Sequence, residues 1–165
     1  MSYDISMAYP QSVHINGEMK HFQQYVNGFM VNPATKQMLL IEKQRPERQK
    51  GRWNGVGGKI ELGERADTAM CREFMEETGV VTTTTDWEHT LSLEGSDFVV
   101  HFYRSFISEF PSFRQTTDES LGLYFLKSIY DTLPVLDNAR WIFPIQFAIG
   151  VQFPLDVKWI APRNV

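Results

Sequence analysis

Glu73, Glu76 and Glu77 are spaced i, i+3, i+4, so on a helix they put three carboxylates on one face. Like charges that close repel one another, and the more so where they border the core and are partly stripped of water. Such a face calls for a cation, and hard divalent ions that prefer oxygen, Mg²⁺ or Mn²⁺, are the natural partners. Upstream lie Lys43, Arg45, Arg48, Lys50, Arg52 and Lys59, with only Glu42 and Glu47 among them. Glycines cluster between the two charged segments at Gly51, Gly55, Gly57, Gly58 and Gly63, so the backbone there can turn tightly and approach a ligand. Taken alone, each charged run reads as a solvated surface. In this order they suit a polyphosphate bridged to the protein by metal. Backbone N–H groups and cations bind the phosphate oxygens, and the carboxylates hold the ions.

The carboxylates need a helix. Ala66 to Thr78 contains good helix formers without proline or glycine, and Gly79 falls where a left-handed C-terminal residue is wanted. Met70 and Phe74 would hold that helix against a sheet. Phe22–Val31 and Gln37–Lys43 read as strands joined by the turn Asn32–Lys36, a hairpin. Residues 43–51 form a loop stopped by Pro46. Trp87–Leu93 and Asp97–Ile107 read as a second strand pair around Glu94-Gly95-Ser96, and Leu121–Leu126 as a short strand. Asn138–Gly150 reads as a second main helix despite Pro144, and Val157–Ile160 as a closing strand. Residues 1–20 form an arm. Strands interleaved with two helices imply an α/β fold, a mixed sheet with helices packed on its faces.

Composition sets the outer bounds. The 165 residues suit one domain with its own core. The apolar share of 42% and the charged share of 22% are those of a globular chain. No apolar run is long enough to span a membrane, and Met1–Ser6 lacks the basic start of an export signal. Cys71 is the only cysteine, which excludes an intrachain disulfide and a multi-cysteine zinc site and fits the cytoplasm. Cys71 reads as a small buried hydrophobe. The net charge of −4 does not favour binding to a nucleic-acid polymer. His14, His21, His89 and His101 lack ligand spacing.

Gly58, five residues, Glu64, seven residues, then Arg72-Glu73-Phe74-Met75-Glu76-Glu77-Thr78-Gly79-Val80 resembles the full Nudix box, residues 58–80. At average residue usage, chance gives this pattern about once in 10⁹ start positions. The resemblance implies an α/β/α sandwich, one Nudix domain over 1–165, and an enzyme that uses water and Mg²⁺ (or Mn²⁺) to cleave a nucleoside diphosphate linked to another group. By position, Glu73, Glu76 and Glu77 would supply metal ligands and Gly57 a carbonyl ligand. Arg72 would orient the carboxylates, Glu64 would support the loop, and Glu73 would act as general base.

The segment Arg52-Trp53-Asn54-Gly55-Val56-Gly57-Gly58-Lys59 resembles MutT-type Nudix enzymes that act on oxidised purine nucleoside triphosphates, such as 8-oxo-dGTP. Glu119, in Thr117-Asp118-Glu119-Ser120, matches an additional metal-binding glutamate. Leu136-Asp137-Asn138-Ala139-Arg140-Trp141 resembles the base-reading segment, with Asp137-Asn138 where the vertebrate pattern has two aspartates. Asn54, Asp137 and Asn138 offer donors and acceptors to a purine edge. Asn138 equally fits a helix N-cap, Trp141 a pocket wall or the core, and Phe29 the base site or the core. Lys43 and Lys59 are candidates for the substrate phosphates. The expected partner is a nucleoside triphosphate, and oligomeric state is not legible. Two other readings stand beside this one: a Nudix hydrolase of ADP-ribose or dinucleoside polyphosphates, and a non-catalytic nucleotide sensor.

Overall fold

Met38, Leu39, Leu40 and Ile41 are all buried, with no alternation of apolar and polar residues, because their strand is covered on both faces. The computed structural model describes residues 12–15 and 18–158. In chain order its elements are β1 (Ser12–Ile15), β2 (Glu18–His21), β3 (Gln23–Asn32), β4 (Gln37–Lys43), β5 (Arg52–Asn54), α1 (Ala66–Thr78), β6 (Glu88–Glu94), β7 (Phe98–Phe106), β8 (Leu121–Phe125), α2 (Leu126–Asp131), α3 (Ala139–Gln146) and β9 (Leu155–Lys158). Among the described residues β1 pairs with β2 alone. The other seven strands form one sheet in the order β5-β4-β3-β7-β6-β9, with β8 on β4. β3 runs parallel to β7 and β6 parallel to β9, so the sheet is mixed.

Each face carries its own core. On one side Met70 and Phe74 of α1 pack with Val26, Met30, Leu39, Ile41, Trp87 and Tyr103. On the other, Ile129 of α2 and Ile142 and Phe143 of α3 pack with Phe29, Met38, Leu40 and Phe102. The result is an α/β/α sandwich. Phe29 belongs wholly to the second core: it is 0% exposed, stacks on Phe102 and meets Phe143 edge-on. Of its two expected places, base site or core, the base site is therefore corrected, because the strand pleat points it under α3.

α1 occupies the expected residues, and Gly79 closes it at φ 71°, with its N–H on the Met75 carbonyl. Elsewhere the elements depart from expectation. The helix expected over 138–150 ends at Gln146. Pro144 supplies no N–H, and the Phe147 and Ala148 amides bond three residues back, to Pro144 and Ile145. β5 arises inside the glycine-rich segment by pairing with β4. α2 follows β8 directly where only a strand end was expected. Part of the expected arm is the β1–β2 pair, and of the expected strand 157–160 the last two residues lie outside the described ones.

His89, Ser92 and His101 form a polar knot on the sheet. Ser92 Oγ lies 3.0 Å from His89 Nε2 and 3.1 Å from His101 Nδ1, and His101 is 5% exposed. Burial, then the neighbouring His89, lowers the His101 pKa from 6.5 to about 4. A histidine whose folded pKa is depressed adds stability that is complete above its unfolded pKa and is lost as pH falls through the folded one. Stability should therefore fall between pH 6.5 and pH 4, by at most about 3 kcal/mol from this group. Urea melts across that window should show a flatter pH dependence for His101→Gln. An unchanged slope would assign the loss to other groups.

Candidate active site

The glycine-rich segment reaches the site because β3 lends it an edge. β4 pairs with β3 only near the hairpin, at Val31–Met38 and Asn32–Gln37. Nearer its start, the same edge takes residues 56–60: Val26 N–H bonds Gly58 O (2.9 Å), Gly28 N–H bonds Val56 O (2.7 Å) and Ile60 N–H bonds Gln24 O (3.0 Å). With its backbone satisfied in this way the loop is fixed over the α1 face. Gly58 brings the loop close to Glu73: a Cβ there would lie 2.5 Å from Glu73 Oε2 and push that carboxylate aside.

Arg72 is the hub of the acidic face, and all five of its N–H donors are engaged. Nε and Nη2 form a fork on Glu64 at 2.8 and 2.9 Å. Nη1 serves Glu73 at 2.8 Å and Glu76 at 3.1 Å, and Nη2 also bonds the Lys59 carbonyl at 3.0 Å. One guanidinium thus orients three carboxylates and ties them to the loop. Its hydrogen bonds hold Glu64 below the usual carboxylate range. Burial outweighs the same help at Glu73, whose pKa rises.

Glu77 is deeper, 9% exposed, and accepts the Gly57 N–H at 3.2 Å. Burial raises its pKa to about 7, with Glu119 and Glu73 adding repulsion and Lys43 opposing it. Glu119 arrives on the loop before β8. That loop is tied to the end of α1 through Arg114 N–H on Thr78 O (2.9 Å) and the Thr116 hydroxyl on the Glu76 carbonyl. Lys43 Nζ lies 2.6 Å from Glu119 Oε2, while Gln44 N–H bonds Glu119 Oε1 at 3.1 Å. Lys43 and Glu119, expected on phosphate and on metal, are here each other's partners.

Five carboxylates (Glu64, Glu73, Glu76, Glu77 and Glu119) therefore gather around two cations, Arg72 and Lys43. Among the described residues no three acidic, histidine or cysteine side chains close into a metal cage on their own. This open set of oxygen donors still fits Mg²⁺, which keeps several waters and takes one or two carboxylates together with substrate phosphates.

A second group of expected residues lies along β5. Trp53 N–H bonds Pro134 O (2.8 Å), and Leu136 N–H returns to Trp53 O (3.3 Å). This short ladder ties β5 to the turn that leads to Asn138. Asn138 begins α3, yet its side chain makes no capping bond, and Asn54 and Asn138 are both half-buried. Asp137 points outward: its side chain is 94% exposed and meets Arg52 at 3.2 Å. Trp141 is half-buried against the α2–α3 core, and Lys59 is exposed and meets Arg72 only through its carbonyl. Two positioning residues were missed in the sequence. Trp53 stacks edge-on with Tyr124 at 4.8 Å. Asn27 Nδ2 bonds the Gly55 carbonyl at 3.1 Å, and its only signal was a polar residue in an apolar strand.

The Nudix domain family model matches residues 21–142, most of the chain and all of this site. The chain belongs to the Nudix family. Over 62 residues, a third of the chain, it is 36% identical to the oxidized purine nucleoside triphosphate hydrolase of Danio rerio, and the match spans 38% of that relative's length. A MutT from Bacillus halodurans superposes with a TM-score of 0.61 at 25% identity, over 74% of this chain and 80% of that one. The NUDIX domain of Shewanella oneidensis NrtR, solved with ADP ribose, superposes with a TM-score of 0.64 at 18% identity, over 76% and 86% of the two chains. The first two likenesses are to MutT-type members of the family, and the third shows the same fold. Among the described residues no helix is long and apolar enough to cross a membrane.

Proposed function

We propose that this Nudix hydrolase is a Mg²⁺-dependent pyrophosphohydrolase of purine nucleoside triphosphates, with 8-oxo-dGTP or a related oxidised purine as preferred substrate. It would act in the cytoplasm through the single domain formed by the chain. The observation that carries the reading is the Arg72-centred carboxylate array lying under a loop pinned to β3. Glu73, Glu76, Glu77, Glu119 and the Gly57 carbonyl would hold the metal. Bound there, Mg²⁺ would neutralise phosphate charge and acidify a bound water.

The chain's own residues supply the rest. Glu73, held by Arg72 and with its pKa raised by burial, takes the proton of the attacking water. The water oxygen bonds to phosphorus, the α–β anhydride bond breaks, and nucleoside monophosphate and pyrophosphate leave. Lys43 and Lys59 hold phosphate oxygens, Lys43 by exchanging Glu119 for the substrate. Asn54 and Asn138 read the purine edge, with Trp141 as a wall, while Asp137 stays in solvent on Arg52.

The test is kcat/KM with Mg²⁺ for 8-oxo-dGTP, dGTP, dATP, ADP-ribose and a dinucleoside polyphosphate. The expected order begins with 8-oxo-dGTP. Preference for ADP-ribose or the dinucleotide would replace this reading, and binding without turnover would make the protein a sensor. Asn54→Ala and Asn138→Ala should each reduce discrimination between bases by about tenfold, since a lost hydrogen bond in a pocket costs on the order of 1–1.5 kcal/mol. If both variants keep the base ranking of the wild type, the purine edge is read elsewhere.

A further inference from the structure

β8 is an edge strand, and nothing in its sequence protects that edge. Glu42 N–H bonds Ser120 O at 2.8 Å and Leu126 N–H bonds Lys36 O at 2.9 Å. In an antiparallel pair this phase turns residues 120, 122, 124 and 126 towards β4, and directs the N–H and C=O of Leu121 and Leu123 outward. Among the described residues β8 pairs with β4 alone. Natural edges are usually guarded by charge, proline or a bulge. Leu121-Gly122-Leu123-Tyr124-Phe125 has no charge and no proline, and its register with β4 is unbroken. Leu123 and Phe125 lie on one face of the strand and are 42% and 52% exposed.

We infer that β8 pairs antiparallel with β8 of a second copy of this chain, about a two-fold axis at Leu123, to give a dimer with a continuous sheet. Three observations favour a second copy as the occupant. The strand is self-complementary: centring Leu123 on itself makes a hydrogen-bonded pair on the axis and sets the outward Leu121 opposite Phe125 of the other copy. In that register the Phe125 ring of one copy comes beside a cavity of about 240 Å³ in the other, lined by Leu39, Phe113, Gln115, Leu121, Gly122 and Leu123. Charge also permits the contact, since Lys127 follows one end of the strand and Asp118, held in its own chain by the exposed Arg45, precedes the other. Each Lys127 then approaches the other copy's Asp118, which eases the repulsion between two chains of net charge −4. A two-fold contact closes on itself and adds no third chain. The inference does not rest on the proposed substrate.

Analytical ultracentrifugation of the full chain across the micromolar range should show a species of twice 19.1 kDa. Leu123→Lys places like charges on the axis and should give monomer with unchanged circular dichroism and nucleotide turnover. Lys127→Glu should raise the dimer Kd at least about tenfold, and adding Asp118→Lys should restore it. A wild-type monomer throughout, or a dimer indifferent to Leu123→Lys, would overturn the inference. A dimer lost in Leu123→Lys but unmoved by the charge variants would overturn the register.

Discussion

Glu77→Gln should abolish nearly all turnover and yet make the metal-free protein more stable above neutral pH. The two effects have one cause. Glu77 is buried beside Glu73 and Glu119, and burial first, then their charge, lifts its pKa to about 7. A carboxyl group whose folded pKa is raised gives stability that is fully present below its unfolded pKa, near 4.5, and is lost as pH rises through 7. Above pH 7 the wild type therefore carries a buried charge that glutamine removes. The gain is at most about 3 kcal/mol. A cation would neutralise that same charge, so Mg²⁺ should raise the wild-type melting temperature and leave Glu77→Gln almost unmoved. Turnover should fall roughly 10³-fold, about 4 kcal/mol of barrier. Melts with chelator and with Mg²⁺ at pH 5 and pH 8, beside single-turnover rates, make the comparison. A variant that is less stable at pH 8 without metal would show Glu77 to be held by the fold rather than held ready for an ion.

The tension at Glu77 marks how far the sequence could be read. The i, i+3, i+4 spacing identified the acidic face because helix geometry is local, and α1 obeys it from Ala66 to Gly79. That Arg72 spends all five donors on Glu64, Glu73, Glu76 and the Lys59 carbonyl was legible only in outline, through the Nudix resemblance. Contacts between distant segments were harder. Lys43 and Glu119 are 76 residues apart, and nothing local says that they meet. β5 was hidden because its three residues are a strand only while β4 lies beside them. Phe29 was left between the base site and the core for a related reason: β3 is buried on both faces, so alternation could not say which way its ring points. Asp137 was expected to face a base, but its position at the turn into α3 leaves it in solvent with Arg52.

Arg72 is where stability and catalysis should be lost together. Its side chain is 24% exposed, and the carboxyl groups of Glu64 and Glu73 are 13% exposed. Removing the guanidinium leaves three carboxylates without their common partner and the Lys59 carbonyl without a donor. Breaking a largely buried ion pair on one side costs several kcal/mol, and the residual exposure lowers that to about 2–3 kcal/mol for Arg72→Ala. Lysine restores one charge but not the fork, so Arg72→Lys should recover part of the stability and little of the activity. In both variants turnover should fall at least about 100-fold, the range expected when a group that orients metal ligands is lost. A residue that merely stabilised the fold would leave the Mg²⁺ dependence alone. Here the Mg²⁺ concentration for half-maximal rate should rise, because Glu73 and Glu76 lose the hydrogen bonds that aim them. Free guanidinium ion at subdenaturing concentration should partly rescue Arg72→Ala and not Glu77→Gln. Glu64→Gln separates the two roles further: it should lose stability through the broken fork yet keep most activity, since among the described residues the Glu64 carboxylate hydrogen-bonds Arg72 and the Glu61 amide alone. If Arg72→Ala melts like the wild type and keeps its Mg²⁺ dependence, the carboxylates are oriented by the backbone alone, and the hub at Arg72 has no part in the chemistry.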